Sequence, residues 1–96
     1  MRRSSRLTLR DRTAWVTVTD GPGNPRDWVG LFAMSGTDTA ALRWKYLNSM
    51  RTPPSVGVTS ATITFCMPIT PGTYDFRFFR DGTHEKLATS VTVTVP

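Results

Sequence analysis

Apolar and polar residues alternate one by one in five separate stretches of this chain, and clusters of glycine and proline divide the stretches. AWVTVTD (14–20) sets Ala14, Val16 and Val18 on one side and Trp15, Thr17 and Thr19 on the other. ALRWKYLN (41–48) sets Leu42, Trp44 and Tyr46 opposite Arg43 and Lys45. ATITFCM (61–67) sets Ala61, Ile63, Phe65 and Met67 opposite Thr62, Thr64 and Cys66. TYDFRFF (73–79) sets Tyr74, Phe76 and Phe78 opposite Asp75 and Arg77, and SVTVTV (90–95) sets Val91, Val93 and Val95 opposite Thr92 and Thr94. A sixth stretch, DWVGLFAM (27–34), is more continuously apolar. A period of two marks a half-buried strand. The sixteen threonines agree, because a β-branched polar residue suits the solvent face of a sheet. The breakers GPGNP, SGTDT, RTPPSVG, PITPG and RDGTH recur every 8–14 residues or so, too closely for strand–helix–strand units and at the spacing of an antiparallel sandwich. TAALRWKYLNSM (39–50) contains fair helix formers and competes as a helix; its alternation from 42 to 46 and its two aromatic residues favour a strand.

With 96 residues and no repeat or linker, the chain reads as one domain over 13–96, preceded by a basic segment over 1–12 that is either an arm or a poorly ordered first strand. The net charge of +5 is concentrated there: Arg2, Arg3, Arg6, Arg10 and Arg12 face only Asp11, whereas residues 13–96 are close to neutral. A folded nucleic-acid domain carries a basic face, and none is visible in the remainder, so nucleic acid is a weak alternative that rests on counterion release by the arm. MRRSSRLTLR has the basic character that opens a secretory signal, but no apolar stretch of about 7–15 residues follows. The chain as written therefore reads as lacking an export signal, extracellular or at the cell surface if it is part of a larger secreted protein and otherwise cytoplasmic. No run is apolar and long enough to span a membrane as a helix. A single cysteine, Cys66, excludes an intrachain disulfide.

The order of landmarks narrows the sandwich further. Val16 on the second strand and Phe76 on a later one occupy the facing positions that antibody domains fill with a cystine. Trp28 follows the GPGNP corner at the start of the third strand. It is either a core pillar against that pair or a ligand platform on a loop, and the pillar is the favoured reading. Tyr74 stands two residues before Phe76, where a tyrosine corner bonds back to the preceding turn. DWVGLF, WKYLN, ATITFCMP, PGTYDFRFFRDG and LATSVTVTV together resemble a bacterial immunoglobulin-like repeat module and are similar to the SKICH domain over residues 13–95. The first turn departs from that pattern, since MRRSSRLTLRDR has no Pro or Gly mark. The resemblance implies an all-β, antiparallel immunoglobulin-like β-sandwich of about seven strands. For function it implies a spacer or adhesive unit in a larger protein, or a module for membrane targeting and protein interaction; some related sandwiches bind sugars.

Chemistry is sparse. No metalloprotease, Walker, nucleophile-elbow or dinucleotide motif occurs, and Cys66 has only His84, in a turn, as a possible partner, so an enzyme is the least favoured class. No cofactor is expected. Asp20, Asp27 and Asp38 fall near one strand end without a calcium-loop spacing, and Asp27 alternatively caps the turn beside Trp28. Asp75 with Arg77, and Arg80 with Asp81, read as solvated charges. The expected role is a non-catalytic accessory or interaction module with a protein or glycan partner. Its candidate surface is Arg43, Trp44, Lys45, Tyr46 and Phe79. Trp44 and Tyr46 are either core or, on an edge strand, a ledge about 7 Å long for a sugar. Phe79, opposite in facing to Phe78, is either exposed or packed beneath the hairpin of the third and fourth strands.

Overall fold

The computed structural model describes residues 2–8 and 13–95. Eight strands and no helix occur among them: β1 (Arg2–Thr8), β2 (Thr13–Thr19), β3 (Trp28–Ala33), β4 (Arg43–Tyr46), β5 (Ala61–Cys66), β6 (Gly72–Phe79), β7 (Lys86–Thr89) and β8 (Val93–Val95). One sheet has the order β1-β2-β5 and the other β4-β3-β6-β7, with β8 also paired to β6, and every pairing is antiparallel. The two sheets form a β-sandwich. Tyr74 pairs with Ala33 on one side and with Val93 on the other, so β7 and β8 share one edge of β6. They are one broken strand, which gives seven strand positions. At the break the Ser90 amide donates to the Phe76 carbonyl and the Phe76 amide to Ser90 Oγ, both at 2.8 Å. Val91, expected inward, is consequently exposed beyond the ladder.

Arg2, Arg3 and Arg6 lie in β1, which pairs with β2 along its full length. The first part of the basic segment is thus a strand. Residues 9–12, including Arg10, Asp11 and Arg12 and the far end of the expected RLTLR strand, lie outside the described residues. Within TAALRWKYLNSM the strand reading holds over Arg43–Tyr46.

Alternation delivers the inter-sheet core. Ala14, Val16 and Val18 from β2, Ile63 and Phe65 from β5, and Tyr74, Phe76 and Phe78 from β6 are buried together with Met67, Leu47 and Val95. The Tyr74 hydroxyl donates to the Thr70 carbonyl at 2.6 Å, the expected corner across the ITPG turn. β3 contributes Val29 and Leu31 to this core, and Trp28 is not among its members. The core-pillar expectation is therefore corrected. Trp28, Phe32 and Phe79 form a second cluster on the opposite face of the same sheet. Gly30 sits between Trp28 and Phe32 on that face, where a Cβ would come within 2.6 Å of the Phe32 ring and 3.0 Å of the Trp28 ring. Glycine is what lets the two rings converge over β3.

The solvated reading of Asp75 and Arg77 is corrected too: both are 5% exposed. The outer faces of β3 and β6 are not open to water, because two segments fold over them. One is 34–42 and the other is the β6–β7 turn, 80–85.

Candidate functional site

Two buried polar residues hold those segments in place. Arg77 Nε donates to Asp75 Oδ1 at 2.9 Å, and Nη1 donates to Asp38 Oδ1 at 2.9 Å and to the Gly36 carbonyl at 2.8 Å. Nη2 reaches the carbonyls of Ala33 and Met34 at 3.4 and 3.3 Å, and the guanidinium lies 4.5 Å from the centre of the Phe32 ring. A buried guanidinium needs its fork of donors satisfied, and segment 33–38 supplies the acceptors. Asp27 does the same for the turn. Its Oδ2 accepts from the Asn24 amide and its Oδ1 from the Asp81 amide, each at 2.9 Å. The Gly82 amide donates to the Arg26 carbonyl at 2.8 Å. The turn itself needs left-handed backbone at Asp81 (φ 45) and Gly82 (φ 72), which asparagine-like residues and glycine tolerate best.

Between the two segments and β4 opens a cleft of about 400 Å³ lined by Trp28, Thr39, Ala41, Trp44, Tyr46, Gly82 and His84. Trp28 forms its inner wall. It is 9% exposed, stacks on Phe79 at 4.3 Å between ring centroids, and donates from Nε1 to the Thr83 carbonyl at 3.1 Å. Trp44 stands at 72° to Trp28 with centroids 6.2 Å apart, and Tyr46 at 86° to Trp44 with centroids 5.1 Å apart. His84 meets Trp28 edge-on at 5.8 Å. Thr39 and Ala41 come from the segment held by Arg77, and Gly82 and His84 from the turn held by Asp27. Among the described residues, neither the Tyr46 hydroxyl nor the His84 ring has a hydrogen-bond partner in the protein.

The sequence-predicted surface divides three ways. Trp44 and Tyr46 are half-buried and share the cleft, at right angles instead of as a level ledge. Lys45 turns to the other side of β4, where Nζ donates to the Thr64 carbonyl at 2.6 Å and lies 5.4 Å from the centre of the Phe65 ring. It closes the sandwich between the edges of β4 and β5. Arg43 shares the parity of Lys45, is exposed and lines no part of the cleft. The exposed reading of Phe79 is corrected: it is fully buried, because Trp28 covers it. Sequence reasoning missed Thr39, Ala41, Gly82 and His84. The one available signal was the parity of WVGLF, which places Trp28 and Phe32 opposite Val29 and Leu31.

The remaining candidates are not brought together. Asp27 is spent on backbone amides and Asp38 on Arg77 and Lys86, and no group of three His, Cys, Asp or Glu side chains gathers among the described residues. Cys66 ends β5 in one sheet, whereas His84 lies on the outer face of the other. Arg80 pairs with Glu85 across their own turn. Comparison with protein-family models, curated proteins and solved structures finds no match to this chain.

Proposed function

We propose that this chain is a non-catalytic recognition module, an immunoglobulin-like sandwich that takes a saccharide into the cleft between Trp44, Tyr46 and His84. The sheet order β1-β2-β5 over β4-β3-β6-β7 and the Tyr74 corner support the immunoglobulin-like reading. So does the similarity of residues 13–95 to bacterial immunoglobulin-like modules and to the SKICH domain. In that setting the domain serves as an accessory unit of a larger protein.

The observation that carries the ligand reading is an aromatic cleft whose accessible polar groups have no protein partner. Small-ligand sites combine mainly apolar walls with a few placed polar groups, in volumes of about 300–1,000 Å³. A sugar fits both requirements, with C–H faces against a ring and hydroxyls toward Tyr46 and His84. The perpendicular rings favour a sugar held in a cleft over one lying flat on two rings. Addition of a partner strand to β4 is the alternative route, and its outer edge is largely occupied. The Tyr46 amide donates to the Met50 carbonyl at 2.8 Å, the Ser49 amide to the Tyr46 carbonyl at 3.0 Å, and Arg51 Nε to the Trp44 carbonyl at 3.4 Å.

Titration of the folded domain with neutral and acidic oligosaccharides, followed by tryptophan fluorescence and calorimetry, tests the proposal. Saturable binding that Trp44→Ala and Tyr46→Phe each weaken by about tenfold or more is the expected result. Absence of binding across the panel at millimolar sugar overturns it and returns the cleft to a protein partner.

A further inference from the structure

The charges around the cleft are not balanced, and the imbalance carries a statement about its ligand. Of the cations on this side of the molecule, Lys86 pairs with Asp38 at 3.3 Å and Arg80 with Glu85 at 3.4 Å. Arg77 is buried in its own network. Two arginines remain without a carboxylate partner. Arg51 lies with its guanidinium carbon 5.3 Å from the centre of the Trp44 ring, and its one protein hydrogen bond is the 3.4 Å contact from Nε to the Trp44 carbonyl. Its Nη groups are left free to donate. Arg26 is exposed and runs beside Gly82, where a Cβ would lie 3.8 Å from both its Cβ and its Cδ. Its guanidinium takes part in no ion pair among the described residues. Trp44 and Gly82 both line the cleft, so the two cations flank it from β4 and from the turn. The lining contains no carboxylate; the nearest acid without an ion pair is Asp81, beside Gly82 on the same turn.

Resting on the reading of the cleft as a saccharide site, we infer that its ligand is an anionic saccharide, bearing carboxylate or sulfate, whose charged group is held by Arg51 and Arg26 while the ring meets Trp44. A guanidinium offers paired N–H donors that match the oxygens of either group, and an arginine already stacked on an indole spends less entropy in forming those bonds. An unpaired arginine beside an aromatic wall joins charge recognition to ring stacking, which a neutral sugar would leave half used.

The experiment measures three probes by calorimetry on the intact chain: a trigalacturonate, the corresponding neutral trigalactoside, and a sulfated heparin-derived tetrasaccharide. The expected result is that at least one acidic probe binds about tenfold or more tightly than the neutral one. That preference shrinks when salt rises from about 0.15 M to about 0.5 M, because exposed charge pairs are screened. Arg51→Gln and Arg26→Gln, both confirmed folded by thermal melting, each reduce the preference several-fold and leave the neutral affinity unchanged. The two acidic probes separate carboxylate from sulfate recognition. Equal affinity for neutral and acidic probes, or a preference that neither substitution moves, overturns the inference and leaves the saccharide reading standing. Failure of all three probes to bind overturns both.

Discussion

The indole of Trp28 lies parallel to the ring of Phe79, with 18° between the planes, on the face of the sheet that looks away from the inter-sheet core. That stack is the floor of a second, smaller apolar cluster, and the cleft is built on top of it. Trp28→Ala is expected to cost about 3–5 kcal/mol, since it removes a large buried side chain and uncovers Phe79. Trp28→Phe keeps a ring on the stack but loses the bond from Nε1 to the Thr83 carbonyl, for about 1–2 kcal/mol. Urea denaturation of the two variants checks both values. A loss below about 1 kcal/mol in Trp28→Ala would show that the outer cluster adds little to folding.

Arg77 and Asp38 are unequal partners, and their variants are expected to rank accordingly. Arg77→Met leaves Asp75 buried without a cation and releases segment 33–38, so a loss of about 3–5 kcal/mol is expected. Asp38→Asn removes a charge whose side chain is 35% exposed, for about 1 kcal/mol or less. Equal midpoints for the two variants in chemical denaturation would contradict the central role of the arginine.

Tyr74→Phe removes one hydroxyl from a 2.6 Å bond and leaves the ring in the core. The Thr70 carbonyl loses its donor, and the domain is expected to lose about 1–1.5 kcal/mol. An unchanged thermal midpoint would argue against a stabilising corner.

Gly57 is packed against the corner between β2 and β3. A Cβ there would overlap the carbonyl of Gly23 and lie 2.6 Å from the Asn24 carbonyl carbon, both of them backbone. Gly57→Ala therefore forces the corner to move, at about 1–3 kcal/mol or more. Because Asn24 also donates to Asp27, the same substitution is expected to broaden the amide resonances of the 80–85 turn. A heteronuclear NMR spectrum with those resonances unshifted would contradict the link between the two loops.

Residue alternation alone determined most of the sandwich. Ala14, Val16 and Val18, Ile63, Phe65 and Met67, and Tyr74, Phe76 and Phe78 could be assigned to one buried face because a strand turns successive side chains to opposite sides. Tyr74 could be matched to its turn because that bond is local, spanning four residues. In WVGLF both parities are apolar, so alternation left open whether Trp28 or Val29 enters the inter-sheet core. Period two assigns residues to sides of a strand; it carries no information about what lies over each side. Asp75 and Arg77 read as solvated for that reason, and only the fold brought Gly36 and Asp38 across from 39 to 41 positions away to bury them. The cleft has the same origin. Its residues come from β3, β4, the 34–42 segment and the 80–85 turn, and their meeting depends on long-range packing that no local pattern encodes.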